Sequence, residues 1–172
     1  MASESTSPYR FGDLLALARQ SWVSQMASGL AALGYPDYRR SDAAVIRLLQ
    51  RGPVSIGPLG EALGVTRQAA RKVADGLERR GLAVTARDGQ DSRQVNILLT
   101  PGGEAYAQAV VTVIDRLDED LRRRVEPDQL VAADAVLRAV LHDDRSRQRA
   151  ARLAPRPRHS AEATPPEPGG PP

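Results

Sequence analysis

The chain has 172 residues, enough for one domain with a tail, and 24 Lys+Arg against 21 Asp+Glu give a net charge of +3. Without cysteine, and with only His142 and His159, it can hold no disulfide, thiolate zinc site or clustered histidine metal site, and no cofactor is expected. No apolar run approaches the ~20 residues that span a bilayer, and residues 1–8 lack the basic-then-apolar pattern of a secretion signal, so a cytoplasmic location and no membrane partner are expected.

In chain order, residues 1–8 are Ser-rich and expected to be flexible. From Tyr9 to Leu33, apolar residues recur at Phe11, Leu14, Leu15, Ala18, Trp22, Met26, Leu30 and Leu33, a helical stripe of about seven turns. Gly34-Tyr35-Pro36 stops it, because proline confines the residue before it to extended conformations. Residues 9–38 are thus a helix and loop. A stripe this long exceeds what one small lobe covers, so part of it is expected to meet another chain.

Ser41-Asp42 starts a second helix carrying Ala44, Val45, Leu48 and Leu49, which ends at Gly52-Pro53. Val54-Ser55-Ile56 is β-capable and can pair as a short third strand. A helix over Pro58–Leu63 breaks at Gly64, and Thr66 caps the next, Arg67 to Arg80, by taking a free backbone N–H of its first turn. Ala69, Ala70, Val73 and Leu77 share one face of that helix, while Arg67, Gln68, Arg71, Lys72 and Asp75 share the other. Gly81 closes it. Val95, Ile97 and Leu99 then alternate with Gln94 and Asn96, as in a half-buried strand, after a turn-rich tip running from Arg87 to Arg93. Helix, tight turn, helix and charged two-stranded flap predict a winged helix-turn-helix over residues 39–100, whose second helix enters the major groove of DNA. Charge follows the same division. Residues 39–100 hold 11 Lys+Arg against 6 Asp+Glu, whereas residues 101–142 hold 5 against 8, so positive charge gathers where phosphates would bind.

Thr100-Pro101 begins another helix with proline at its first position, where the missing N–H costs nothing. Its stripe is Tyr106, Val110, Val113, Ile114, Leu117 and Leu121, with Arg122-Arg123-Arg124 favourably placed at the negative end of the helix dipole. Glu126-Pro127 restarts a helix bearing Leu130, Val131, Leu137, Val140 and Leu141. Residues 101–142 and the first helix together predict a dimerisation region, large and apolar as in obligate dimers. The predicted fold class is mainly α with a small β-wing, a winged helix-turn-helix between N- and C-terminal dimerisation helices. From Asp143 the sequence becomes Arg-, Pro- and Ala-rich and is expected to stay disordered through 172. There Arg145, Arg147, Arg149, Arg152, Arg156 and Arg158 serve solubility in preference to phosphate attraction.

This order of elements resembles the MarR family of bacterial transcription regulators. The strings that carry the resemblance are Leu59-Gly60-Glu61-Ala62-Leu63-Gly64-Val65-Thr66-Arg67-Gln68-Ala69, Leu77-Glu78-Arg79-Arg80-Gly81-Leu82, Asp88-Gly89-Gln90-Asp91-Ser92-Arg93 and Leu99-Thr100-Pro101-Gly102-Gly103. It extends over residues 9–142 and is strongest from 55 to 103. It implies a homodimeric, sequence-specific repressor on a pseudo-palindromic double-stranded DNA operator, released by a small aromatic effector. By the same resemblance Arg93 reaches into the minor groove and Asp91 orients it or a neighbouring arginine, which suits the attraction of arginine to a narrow minor groove. Gln68 and Arg71 match positions that read base edges, and Thr66, Arg67 and Lys72 match phosphate contacts. Ser55 and Arg87 complete the DNA-binding set. Thr85 and Ala86 stand where members carry an arginine, so a buried ion pair at the wing base is not carried over. Trp22, Met26, Tyr35, Tyr38 and Tyr106 are candidates to line an effector cleft, although core packing accounts for them equally well. The alternative is an architectural or protein-binding winged helix without operator choice. No catalytic motif is present, and no enzymatic activity is expected.

Overall fold

A computed structural model describes residues 8–87 and 95–154. Along the chain run α1 (Phe11–Ala32), α2 (Asp42–Leu49), β1 (Val54–Ser55), α3 (Ile56–Leu63), α4 (Arg67–Arg79), β2 (Ala83–Arg87), β3 (Val95–Leu99), α5 (Pro101–Arg122), α6 (Pro127–Val140) and α7 (Asp144–Leu153). The fold is mainly helical, with one antiparallel sheet in the order β1-β3-β2. Register pairs Val54 with Ile97, Ala83 with Leu99 and Arg87 with Val95. The third strand expected at Val54-Ser55-Ile56 is present over Val54–Ser55, with Ile56 already the first residue of α3, and Ile97 and Ala83 turn inward from the sheet.

The core forms where the stripes converge. Met26 and Leu30 of α1, Val45 and Ile46 of α2, Leu59 of α3, Ala70, Ala74 and Leu77 of α4, and Tyr106 and Val110 of α5 are all buried in one cluster. On α4 the inward face is centred on Ala70, Ala74 and Leu77, with Ala69 and Val73 at its margin. On α5 the stripe fades with distance from the sheet: Val113 is buried, Ile114 and Leu117 partly so, and Leu121 is exposed.

Two junctions set the position of α4. At its start, Gly64 adopts φ 67° and closes α3 in the left-handed conformation that glycine tolerates best, with Val65 N–H bonding to Gly60 C=O at 3.0 Å. At its end the chain is stitched to the start of α5. Thr100 N–H donates to Leu82 C=O at 3.1 Å, its hydroxyl donates to Gly81 C=O at 2.6 Å, and the same oxygen accepts Gly103 N–H at 2.9 Å. A Cβ at Gly103 would run into the carbonyl oxygen of Leu82, which explains the glycine in Leu-Thr-Pro-Gly-Gly.

Behind these junctions lies Asp42, only 1% exposed. Read from sequence it starts α2, but the Ser41 side chain makes no capping bond and the Asp42 carboxylate points inward. Its Oδ2 accepts the Arg39 N–H at 3.0 Å, Arg80 Nη1 at 2.8 Å and the Tyr106 hydroxyl at 2.7 Å. Arg80 also donates to Asp37 C=O at 2.7 Å and lies over the Tyr106 ring, 5.6 Å from its centroid. One carboxylate thereby joins α2, the last turn of α4 and α5.

Disorder from residue 143 onward is corrected by α7. Asp143 Oδ1 caps it by accepting Ser146 N–H at 2.9 Å, and Arg147 pairs with Asp144 at 2.5 Å. Arg51 donates to the carbonyls of Arg152 and Ala154, and Arg152 pairs with Glu61 at 2.8 Å. Composition argued that the segment could not bury apolar surface, and indeed no α7 residue is buried; polar ties to a distant part of the chain hold it instead. The rest of the expected tail, with Arg156 and Arg158, lies outside the described residues. Large apolar side chains remain in water on the outer half of α1, at Phe11, Leu14, Leu15 and Leu17. On α6 nothing is buried, and Val131 is 70% exposed.

Leu77→Ala should cost about 2–5 kcal/mol of stability through the cavity it leaves, measured by urea unfolding. Tyr106→Phe keeps the ring but takes one donor from buried Asp42, and should cost about 1–3 kcal/mol. Burial first, then the bond and charge of Asp42, push the Tyr106 phenol well above its ordinary 10.0. The folded chain therefore keeps a proton that the unfolded chain releases, and the associated stability is complete below pH 10 and lost as pH rises above it. Unfolding free energy should fall more steeply above pH 10 in the parent than in Tyr106→Phe. Some slope will persist in the variant, because burial also raises Tyr38.

Candidate nucleic-acid interface

The helix-turn-helix leaves the outer face of α4 open. Arg67, Gln68, Arg71 and Lys72 are all exposed. Thr66 Oγ1 accepts Ala69 N–H at 3.2 Å, which aligns the first turn while its hydroxyl proton remains able to donate. That turn contains no acidic residue, and Arg67 occupies its first position. Negative charge is what the positive end of a helix dipole favours, so a cation there is electrostatically uncomfortable until an anion arrives.

Ser55, Arg67, Gln68 and Arg71 line a single cleft of about 640 Å³, together with Pro58 and Val95. Three elements far apart in sequence thus meet: the start of α3, the first two turns of α4, and the foot of the wing at β3. Arg71 Nε is bonded to Asp75 Oδ1 at 3.0 Å, with the two side chains 54% and 39% exposed. A pair so open to solvent is worth less than about 1 kcal/mol, so Arg71 can exchange Asp75 for another acceptor. Lys72 and Arg87 are exposed outside this cleft, Arg87 as the last residue of β2 opposite Val95. Asp91 and Arg93 lie outside the described residues.

The five residues considered for an effector are brought together, but as packing. Met26 and Tyr106 are fully buried, Trp22, Tyr35 and Tyr38 pack against the same core, and the Tyr35 and Tyr106 rings are 5.0 Å apart. A larger cleft, of about 1020 Å³, is lined by Arg47, Arg51, Leu98, Glu104, Gln108 and Asp118 among others, and by none of those five. Burial lowers the Arg47 pKa there. Sequence reasoning passed over Asp42 and Arg80 as a pair; the available signal was an arginine before a helix-ending glycine and an aspartate at a helix start. Among the described residues no group of three or more His, Asp or Glu could hold a metal ion, and no helix is long and apolar enough to cross a membrane.

The MarR family model matches residues 37–94, from the loop before α2 to the wing. No curated protein is a significant match. Among solved structures, the S. aureus MepR–DNA complex is 20% identical, with 78% of this chain and 98% of that chain covered and a TM-score of 0.67. Bordetella bronchiseptica BpsR, solved to explain regulation of its DNA binding by 6-hydroxynicotinic acid, is 24% identical over 80% of this chain and 100% of that one, at a TM-score of 0.64. Apo MarR from E. coli is 20% identical over 78% and 99%, at 0.61. The sequence match spans the winged lobe, and the solved structures share the fold beyond it, so this chain is a winged-helix protein similar to the MarR family of transcriptional regulators.

Proposed function

We propose that the chain is a homodimeric, sequence-specific repressor, acting in the cytoplasm on a pseudo-palindromic operator. The observation that carries this reading is the cleft joining Ser55, Arg67, Gln68 and Arg71 beside an α4 N-terminus without acidic residues. Gln68 and Arg71 read base edges, suited to adenine and guanine respectively. Thr66, Arg67, Lys72 and Ser55 grip phosphates and fix the register. From the wing, Arg93 enters the minor groove, oriented by Asp91, with Arg87 beside it.

Residues 39–100 are the DNA-binding unit, and residues 9–38 with 101–142 form the dimerisation unit. The unpartnered faces of α1 and α6 support this division, because a second copy would bury both. Two recognition helices would then lie about 34–36 Å apart, one turn of duplex. MepR has been solved on DNA, and BpsR is regulated by a small aromatic acid. By analogy a small aromatic effector releases this chain. Tyr106, with Tyr35 against it, lies beside Arg80 at the end of α4, and Trp22, Met26 and Tyr38 belong to the same packed core, so a ligand wedged among them would displace the recognition helix.

Selection from a random duplex pool should yield one palindromic site. Gln68→Ala should lose about 1–3 kcal/mol on that site and almost nothing on unrelated duplex, by fluorescence anisotropy. Arg93→Ala should weaken binding without changing the melting temperature. Equal affinity for every duplex would favour an architectural role instead. Val131→Asp with Leu137→Asp should convert a dimer to monomers in sedimentation equilibrium, and a parent chain that is already monomeric refutes the dimer.

A further inference from the structure

The helix α7 plays no part in the reading above, and it is the most cationic element described. Its ten residues hold four arginines and one aspartate. A helix with no buried residue gains little from packing and does not exist to complete the core. Yet it is not loose: it packs on α2 and α3, tied by Arg51 to its last carbonyls and by Arg152 to Glu61. Those ties orient it along the helix-turn-helix. The Arg149 guanidinium lies against Gly64, in the turn two residues before Thr66. Arg145, Arg149 and Arg152, at spacings of four and three, share one stripe.

The four arginines differ in what balances them. Arg147 is paired with Asp144 and Arg152 with Glu61. Among the described residues no carboxylate forms an ion pair with Arg145 or Arg149. One uncompensated cation, Arg149, is therefore held at the turn that leads into Arg67 and Gln68, and Arg145 lies one helical turn away on the same stripe. A fixed row of guanidinium groups beside a recognition helix suits an extended polyanion, whose phosphates each take a charge-assisted bond.

We propose that α7 is an accessory phosphate-gripping element, in which Arg145 and Arg149 hold the duplex backbone flanking the segment read by α4. This rests on the DNA-binding reading and adds a contact to it.

The test uses the full chain, the selected duplex and an unrelated duplex, with salt varied from about 50 to 200 mM. Arg145→Ala with Arg149→Ala should weaken binding to both duplexes by the same factor. The slope of log K against log salt should become shallower by about 0.9 for each lost phosphate contact. Arg145→Lys with Arg149→Lys should restore most of the slope, because it keeps the charge, and circular dichroism should be the same in all three proteins. An unchanged slope in the alanine variant overturns the proposal, and so does tighter binding, which would make α7 a brake on the helix-turn-helix. If the parent itself binds no duplex, the DNA-binding reading falls; if the parent binds and the alanine variant matches it, only the role of α7 falls.

Discussion

One oxygen atom, Oδ2 of Asp42, fixes how the recognition helix is mounted. Three donors from three parts of the chain converge on it, and they are the loop before α2, the end of α4 and the middle of α5. A buried carboxylate left without partners would be strongly destabilising, whereas a paired one roughly breaks even against an apolar replacement. The value of such a group lies in geometry: only one arrangement of α2, α4 and α5 satisfies it. Arg80 is not fully satisfied, since its Nε and Nη2 are buried without hydrogen-bond partners. The Tyr106 ring beneath the guanidinium recovers part of that cost through its negative face.

Around this polar centre the molecule divides by what it leaves outside. The winged lobe turns most of its apolar side chains inward, Val65 and Val84 excepted, and shows arginine, glutamine and lysine on α4. The helices flanking it do the opposite over much of their length, with α6 and the first half of α1 keeping large aliphatic side chains in water. Each outer surface fits a different kind of neighbour: a charged polymer at one, another apolar helical surface at the other.

Much of this was legible in the sequence. Helical stripes located α1 through α6 because burial imposes a 3.6-residue period, and alternation found β3 and its short partner β1 for the same reason. Gly64 and Gly81 marked the ends of α3 and α4. What periodicity misses is the direction of a polar side chain. Asp42 reads as an ordinary helix start, since nothing local indicates that Arg80 and Tyr106 will come to it from 38 and 64 residues away. The helix α7 escaped for a related reason: a count of apolar residues cannot see Arg51 reaching its carbonyls across 101 and 103 residues. The aromatics near α1 were found, but spacing does not distinguish a filled core from an open cleft. Ser55, Arg67, Gln68 and Arg71, far apart in part along the chain, line one cleft.

Thr100 carries a mechanical consequence. Its backbone and hydroxyl clasp the chain just past α4 while its oxygen opens α5, and Gly103 lets the helix press against the Leu82 carbonyl. With so little slack at that joint, sheet, recognition helix and the first turns of α5 behave as a single lever. Rotation of α5 at its far end must therefore swing α4 and the sheet together, so the tilt of the winged lobe is set many ångströms from its exposed face.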